Sequence, residues 1–180
     1  MRRIVIVGVG GAGKSTLARE LGAVLGISVI HLDAVHWRPG WAKPPVEEWR
    51  ATVEGLVQGN SWIMDGNYGG TLEVRFAPAD TIIFMDLPRR VCLWRVIRRR
   101  FQYAGRQRPD MAPGCPERLD LAFLRWIWSY PATRRPGMLK LLEKFAPGRQ
   151  IYHLRSSPEV KRFLAEVREG SSSGASLKAR

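Results

Sequence analysis

The chain has 180 residues, 45% of them apolar, with 29 Lys+Arg against 16 Asp+Glu and a formal net charge of +13. That length suits one domain with its own core; the apolar content excludes a disordered chain, and no apolar run reaches the roughly 18–20 residues of a membrane span. Two cysteines, Cys92 and Cys115, have no CxxC partner or nearby His pair, which speaks against structural zinc and disulfides and for a reducing, cytoplasmic setting.

The apolar stretch after Met1-Arg2-Arg3 is too short for a secretory leader and reads as a buried strand over 3–7, ended by glycines. A helix from Ser15 to Leu25 follows, with Leu17, Leu21, Val24 and Leu25 on one stripe. Strands are expected at 27–32, 62–65, 81–86 and 149–154, and helices at 46–58, 89–101 and 158–168. Residues 34–45 and 102–118 read as irregular. One or two helices fill 119–145, interrupted at Pro131 and Pro136. Five strands alternating with helices indicate an α/β domain with a parallel sheet. The tail 170–180 has nothing to bury and is expected to be disordered.

Gly8-Val9-Gly10-Gly11-Ala12-Gly13-Lys14-Ser15 matches GxxxxGK[ST] and joins a strand to a helix, the context that such a motif needs. Glycines let backbone N–H groups wrap a phosphate, and the helix start adds its positive dipole. The pattern assigns Gly8, Gly10, Gly11, Ala12, Gly13, Lys14, Ser15 and Thr16 to ATP, with Lys14 on the β- and γ-phosphates and Ser15 on Mg²⁺.

Asp33, Asp65 and Asp86 end apolar strands, so a parallel sheet brings them to the edge that carries the glycine loop. Asp65, before Gly66-Asn67, is expected to hold Mg²⁺ through water. Asp86 either shares that role or caps the 89–101 helix. Asp33 orients or deprotonates a hydroxyl acceptor, or pairs with an arginine.

The basic excess is local: residues 89–135 hold twelve Arg, no Lys and three acids. Arg95, Arg98 and Arg99 share one helix face, and Val91, Trp94, Ile97 and Phe101 form a separate apolar stripe. Arg106 and Arg108 follow in a Gly/Pro-punctuated segment that reads as a mobile flap. Arginines closing over a transferring phosphoryl group stabilise its charge and exclude water. The same cluster also fits a solvated basic surface or nucleic-acid phosphate binding. Trp37, Trp41 and Trp49 stack on a base or pack loops. His31 and His153 read as core or edge residues, Cys92 as a buried hydrophobe and Cys115 as exposed.

These residues together resemble the small P-loop kinases of the adenylate-kinase type over about 1–168. The chain is most similar to the bacterial "DNA topology modulation protein" (FlaR-related) subfamily, through the glycine loop with Thr16, His31-Leu32-Asp33, Pro39-Gly40-Trp41, Asp65-Gly66-Asn67-Tyr68 and Arg108-Pro109-Asp110-Met111. The resemblance implies a three-layer P-loop NTPase fold, a five-stranded parallel sheet in order 2-3-1-4-5 with helices on both faces, and a small helical lid. It also implies ATP and Mg²⁺, with an acceptor region at about 34–60 and a lid at about 100–125 within one domain, 1–169. Asp65-Gly66 looks like the start of the Asp-Gly-Phe-Pro-Arg motif of adenylate kinases, and Arg95 and Arg99 look like their ATP-contacting hinge arginines. That motif's arginine falls on Gly69, with Arg75 as a substitute; the acceptor-helix arginine falls on His36, with Arg38 two residues on.

The expectation is a kinase transferring the γ-phosphoryl group of ATP to a small acceptor. Lys14, Arg95, Arg99, Arg106, Arg108 and Asp33 serve the chemistry, Ser15 and Asp65 the metal, and Asp33, Arg38, Asn67 and Arg75 the acceptor. A nucleoside monophosphate is slightly favoured as acceptor. The alternatives are a hydroxyl acceptor and an ATP-binding, nucleic-acid-associated protein; no membrane partner is expected.

Overall fold

Four consecutive β-branched residues, Ile4 to Val7, are fully buried because β1 (Arg3–Gly8) is the central strand of a five-stranded sheet. The computed structural model describes residues 1–106, 108–118 and 120–176, side chains of 172–176 excepted. The sheet is parallel throughout, in order β2-β3-β1-β4-β5, with β2 at Val29–His31, β3 at Trp62–Asp65, β4 at Thr81–Met85 and β5 at Gln150–Leu154. This is the doubly wound α/β fold expected of the sequence. Ile6 lies between Asp65 of β3 and Ile83 of β4, so the glycine loop after β1 opens at the sheet edge where Asp65 ends its strand.

Helix α1 (Lys14–Leu25) buries Leu17, Ala18 and Leu21 against the sheet and packs on the C-terminal helix. Residues 32–36, expected to be largely loop, form a short helix α2 (Leu32–His36) that buries Leu32 and His36, and α3 (Val46–Leu56) follows. The sequence did not suggest the next helix, α4 (Leu72–Phe76), which buries Leu72, Arg75 and Phe76.

Helix α5 (Arg89–Gln102) corrects the expected orientation. Cys92 and Val96 face inward, while Trp94 and Phe101 are 63% and 77% exposed. The cause is the glycine loop: a Cβ on Gly11 would lie 2.3 Å from the Cys92 carbonyl oxygen and 2.9 Å from Val96. The helix docks there by its 92/96 side, and the Trp94–Phe101 side is left to solvent. Pro131 sits inside α6 (Leu121–Thr133) and does not interrupt it; the break falls at Arg134. Pro136 then lies in the first turn of α7 (Arg135–Phe145), where a missing N–H has no consequence.

The last helix, α8 (Ser157–Ser176), continues past Gly170, where the sequence led us to expect disorder; Ser171 donates to the Val24 carbonyl of α1 and ties it down. The end of that expected disordered tail, 177–180, lies outside the described residues. Among the described residues no helix is long and apolar enough to cross a membrane.

Candidate functional site

The glycine loop is built from conformations that other residues resist. Gly8, Gly11 and Gly13 have φ of 145°, 82° and 100°. A Cβ on Gly8 would meet the Met85 carbonyl oxygen at 2.2 Å, and one on Gly10 the Phe123 ring of α6 at 2.5 Å. The loop is therefore gripped by β4, α5 and α6 at once. Gly13 caps α1, Ala12 donates its N–H to the Val9 carbonyl, and Thr16 is exposed one residue after Ser15.

Lys14 folds back over this loop and donates to the Gly8 and Val9 carbonyls at 3.0 and 3.2 Å. Burial lowers its pKa, while the carboxylates of Asp65 and Asp33 favour the ammonium. Ser15 donates its hydroxyl to Asp65 Oδ2 at 2.6 Å. The other Asp65 oxygen meets His31 Nδ1 at 2.5 Å. Burial works against a charge on His31, but the bond and charge of Asp65 outweigh it and raise the pKa. His31 is thus the partner of a strand-end carboxylate, as well as the last residue of β2.

Asn67 accepts the Gly8 N–H on Oδ1 at 3.0 Å, and Tyr68 donates its hydroxyl to Asp33 Oδ1 at 2.6 Å. Burial, and then the Asp33 charge, raise the Tyr68 pKa, so the phenol stays protonated. Tyr68 has φ of 35°, a left-handed conformation uncommon outside glycine. Arg75 holds it there. This guanidinium is fully buried and donates to the carbonyls of Gly66 (2.8 Å), Asn67, Tyr68 (3.3 Å) and Thr71 (3.3 Å). Expected to touch the acceptor, Arg75 instead shapes the loop that carries Asn67 and Tyr68. Arg38, the other arginine nominated for the acceptor, pairs with Glu48 in a half-exposed ion pair.

On α5, Arg95 donates to the Ala12 carbonyl and to Ser157, both at 2.9 Å. Arg99 and Arg108 share a single carboxylate: Glu117 accepts from Arg99 Nε at 2.8 Å and from Arg108 Nη1 at 3.0 Å. Arg108 also forms a two-point pair with Asp110, whose carboxylate lies within reach of the Ser15 hydroxyl. Burial and the neighbouring Arg108 lower the Arg99 pKa; for Arg108, burial works the same way but is outweighed by its bond to Asp110. Arg106 stands exposed on the turn after α5, outside this network. Sequence reasoning missed Glu117 and Asp110, although they are two of only three acids in an arginine-rich stretch.

The segment carrying these acids crosses to the loop 37–41, within the stretch expected to serve an acceptor. Met111, Ala112 and Cys115 pack as a small cluster with Trp37 and Trp41. Gly40 donates its N–H to the Gly114 carbonyl at 3.0 Å, and Cys115 lies on the Arg38 carbonyl at 3.2 Å. Cys115, expected to be exposed, is therefore buried. Behind the tryptophans, His36 packs edge-on to Trp49 and tilted against Tyr68. Asp86 neither caps α5 nor joins the site: Pro88 occupies the cap position, and Asp86 pairs with Arg135 (2.7 Å) and His153 (2.8 Å).

The chemistry of the donors can be tested against the groups that the motif implies. The Ser15 hydroxyl and the Asp65 carboxylate it bonds are hard oxygen donors that fit a Mg²⁺ ion. Glycine N–H groups at a helix start with a buried ammonium beside them fit a polyphosphate.

No family model matches the chain, and no curated protein matches it in sequence. Solved structures do. A gluconokinase from Sinorhizobium meliloti 1021 aligns over 99% of this chain and 95% of its own at 17% identity, with a TM-score of 0.51. A shikimate kinase from Bacteroides thetaiotaomicron aligns over 93% of this chain and 97% of its own at 17% identity, with a TM-score of 0.50. At these identities the likeness shows the fold, which this chain shares with P-loop kinases.

Proposed function

We propose that the protein is an ATP- and Mg²⁺-dependent phosphotransferase acting on a small molecule, in which Lys14 and the Gly8–Ser15 amides bind the phosphates. The observation that carries this reading is the docking of α5 on Gly11, which sets Arg95 on the loop itself and Arg99 within electrostatic reach of Lys14. Arg95, Arg99 and Arg108 then stabilise charge on the transferring group, and Arg106 joins them from the flap. Ser15 and Asp65 hold the metal, which when bound neutralises phosphate charge. Asp33 and Asn67 border the acceptor.

The functional unit is 1–169, with its acceptor region at 34–60 and its lid at 100–125. Kinship with the topology modulation subfamily is part of the proposal, supported by the way its His31–Asp33 and Asp65–Tyr68 segments bond to each other. So is a reducing, cytoplasmic setting, supported by two unpaired cysteines. Titration calorimetry with ATP tests the core of the reading: uptake is strengthened by Mg²⁺ and is lost in Lys14→Ala. Uptake untouched by that substitution overturns it.

One observation favours a second activity. Arg90, Trp94, Arg98 and Phe101 recur along the solvent face of α5, an arrangement suited to backbone phosphates and stacked bases of single-stranded nucleic acid. Such binding would weaken steeply with salt, and more gently after Arg90 and Arg98 are replaced.

A further inference from the structure

We propose that the phosphoryl acceptor is an alcohol that carries no phosphate of its own, a sugar-like or nucleoside-like hydroxyl compound, and that Asp33 receives its proton. This rests on the phosphotransferase reading and names the substrate class of the same site.

Three observations carry it. First, of the two arginines that the resemblance nominates for a monophosphate, Arg75 is fully buried on loop carbonyls and Arg38 is held in a half-exposed pair with Glu48. Lys43 and Arg118 lie over the rings of Trp37 and Trp41 at 5.6 and 4.8 Å. Second, the group standing on the acceptor side of Lys14 is a carboxylate, Asp33, fixed through Oδ1 by the Tyr68 hydroxyl. A phosphomonoester is already an anionic nucleophile and needs no base, so a carboxylate in its path only repels it. An alcohol needs that carboxylate. Third, the aromatic cluster beside Tyr68 adds no cation: His36 packs on Trp49 and Tyr68, and burial lowers its pKa and favours the neutral ring.

The step balances without a further reactant. The alcohol oxygen forms a bond to the γ-phosphorus of ATP, and the bond from that phosphorus to the β–γ bridging oxygen breaks, its electron pair leaving with ADP. The hydroxyl proton passes to Asp33 Oδ2 and then to solvent. The tilt of Tyr68 imposed by Arg75 aims Asp33 for this transfer, which makes Tyr68 a positioning residue.

The test is ADP release by the full chain with Mg-ATP, against two panels. One holds phosphate-free alcohols (nucleosides, neutral hexoses, gluconate and shikimate), whose members separate nucleoside, sugar and sugar-acid sources. The other holds nucleoside monophosphates. At least one alcohol raises ADP release about tenfold or more over the acceptor-free rate, and the monophosphates do not. Asp33→Asn lowers the alcohol-dependent kcat about a hundredfold while the variant still takes up Mg-ATP, which reports an intact fold. Tyr68→Phe raises KM for the alcohol more than it lowers kcat. Turnover with a monophosphate alone overturns the inference and leaves the phosphotransferase reading standing; absent ATP uptake overturns both. A second readout needs no acceptor, because water entering the site is also a hydroxyl nucleophile. Asp33→Asn lowers this background ADP release about tenfold, and an unchanged background overturns the role of Asp33 even where both panels are silent.

Discussion

Ser15 donates its hydroxyl hydrogen to Asp65 at 2.6 Å, joining the start of α1 to the end of β3 across 50 residues of chain. Ser15 and Asp65 would hold a divalent cation here, and it would supply charge neutralisation for the phosphates. Ser15→Ala therefore weakens Mg²⁺-dependent ATP binding about tenfold, the scale of one charge-assisted contact, and leaves Mg²⁺-free binding unchanged. Calorimetry with and without the metal measures both.

Glu117 gathers two guanidinium groups with its two oxygens, and its side chain is 4% exposed. Glu117→Gln keeps the shape and removes the charge that holds Arg99 and Arg108 in register. The expected result is a fall in kcat of about tenfold with a smaller change in KM for ATP, because aim is lost while the phosphate cradle stays intact. A loss confined to KM would assign Glu117 to nucleotide binding instead.

Arg75 supplies donors to four backbone carbonyls from a fully buried position. Arg75→Met fills similar volume and leaves those oxygens without donors, so it costs about 3 kcal/mol or more. Urea unfolding reads the loss. Tyr68 also relaxes from its left-handed conformation, so the variant loses acceptor turnover even at temperatures where it remains folded.

Asp80 accepts the backbone N–H groups of Arg2 and Arg3 at 2.7 and 3.0 Å and the Thr81 hydroxyl at 2.6 Å, pinning the start of β1 to β4. Burial works against its charge, but the bonds from Thr81, Arg3 and Arg2 prevail and lower its pKa. Its contribution to stability is therefore complete above the ordinary carboxylate range near about pH 4 and disappears as pH falls through the lowered value. Thermal melts of Asp80→Asn show a lower Tm at neutral pH and converge on the parent in acid.

The sheet was legible because its strands are runs such as Ile4–Val7 and Ile82–Met85 that can only be buried, whereas the strand order came only from the resemblance to P-loop kinases. The inward side of α5 was not, because Val91, Trp94, Ile97 and Phe101 make the longer apolar stripe at helical spacing, while the side that docks offers only Cys92 and Val96. What orients it is a backbone contact, Gly11 against Cys92, that side-chain periodicity cannot encode. The carboxylates at the strand ends could be named from their positions, but their partners could not. Tyr68 reaches Asp33, and Glu117 reaches Arg99, across separations that only the folded chain closes. Arg75 was misread for the same reason: an arginine near a site looks like a ligand contact until its burial is known.

Gly114 sits on Pro39, and its carbonyl takes the Gly40 N–H. The segment that carries Arg108 and Asp110 and the loop that carries Trp37 and Trp41 are thus fastened to each other, through this peptide contact and through the small cluster around Cys115. The two stretches stand about 70 residues apart in sequence yet share one joint, so damage to that joint is felt in both together.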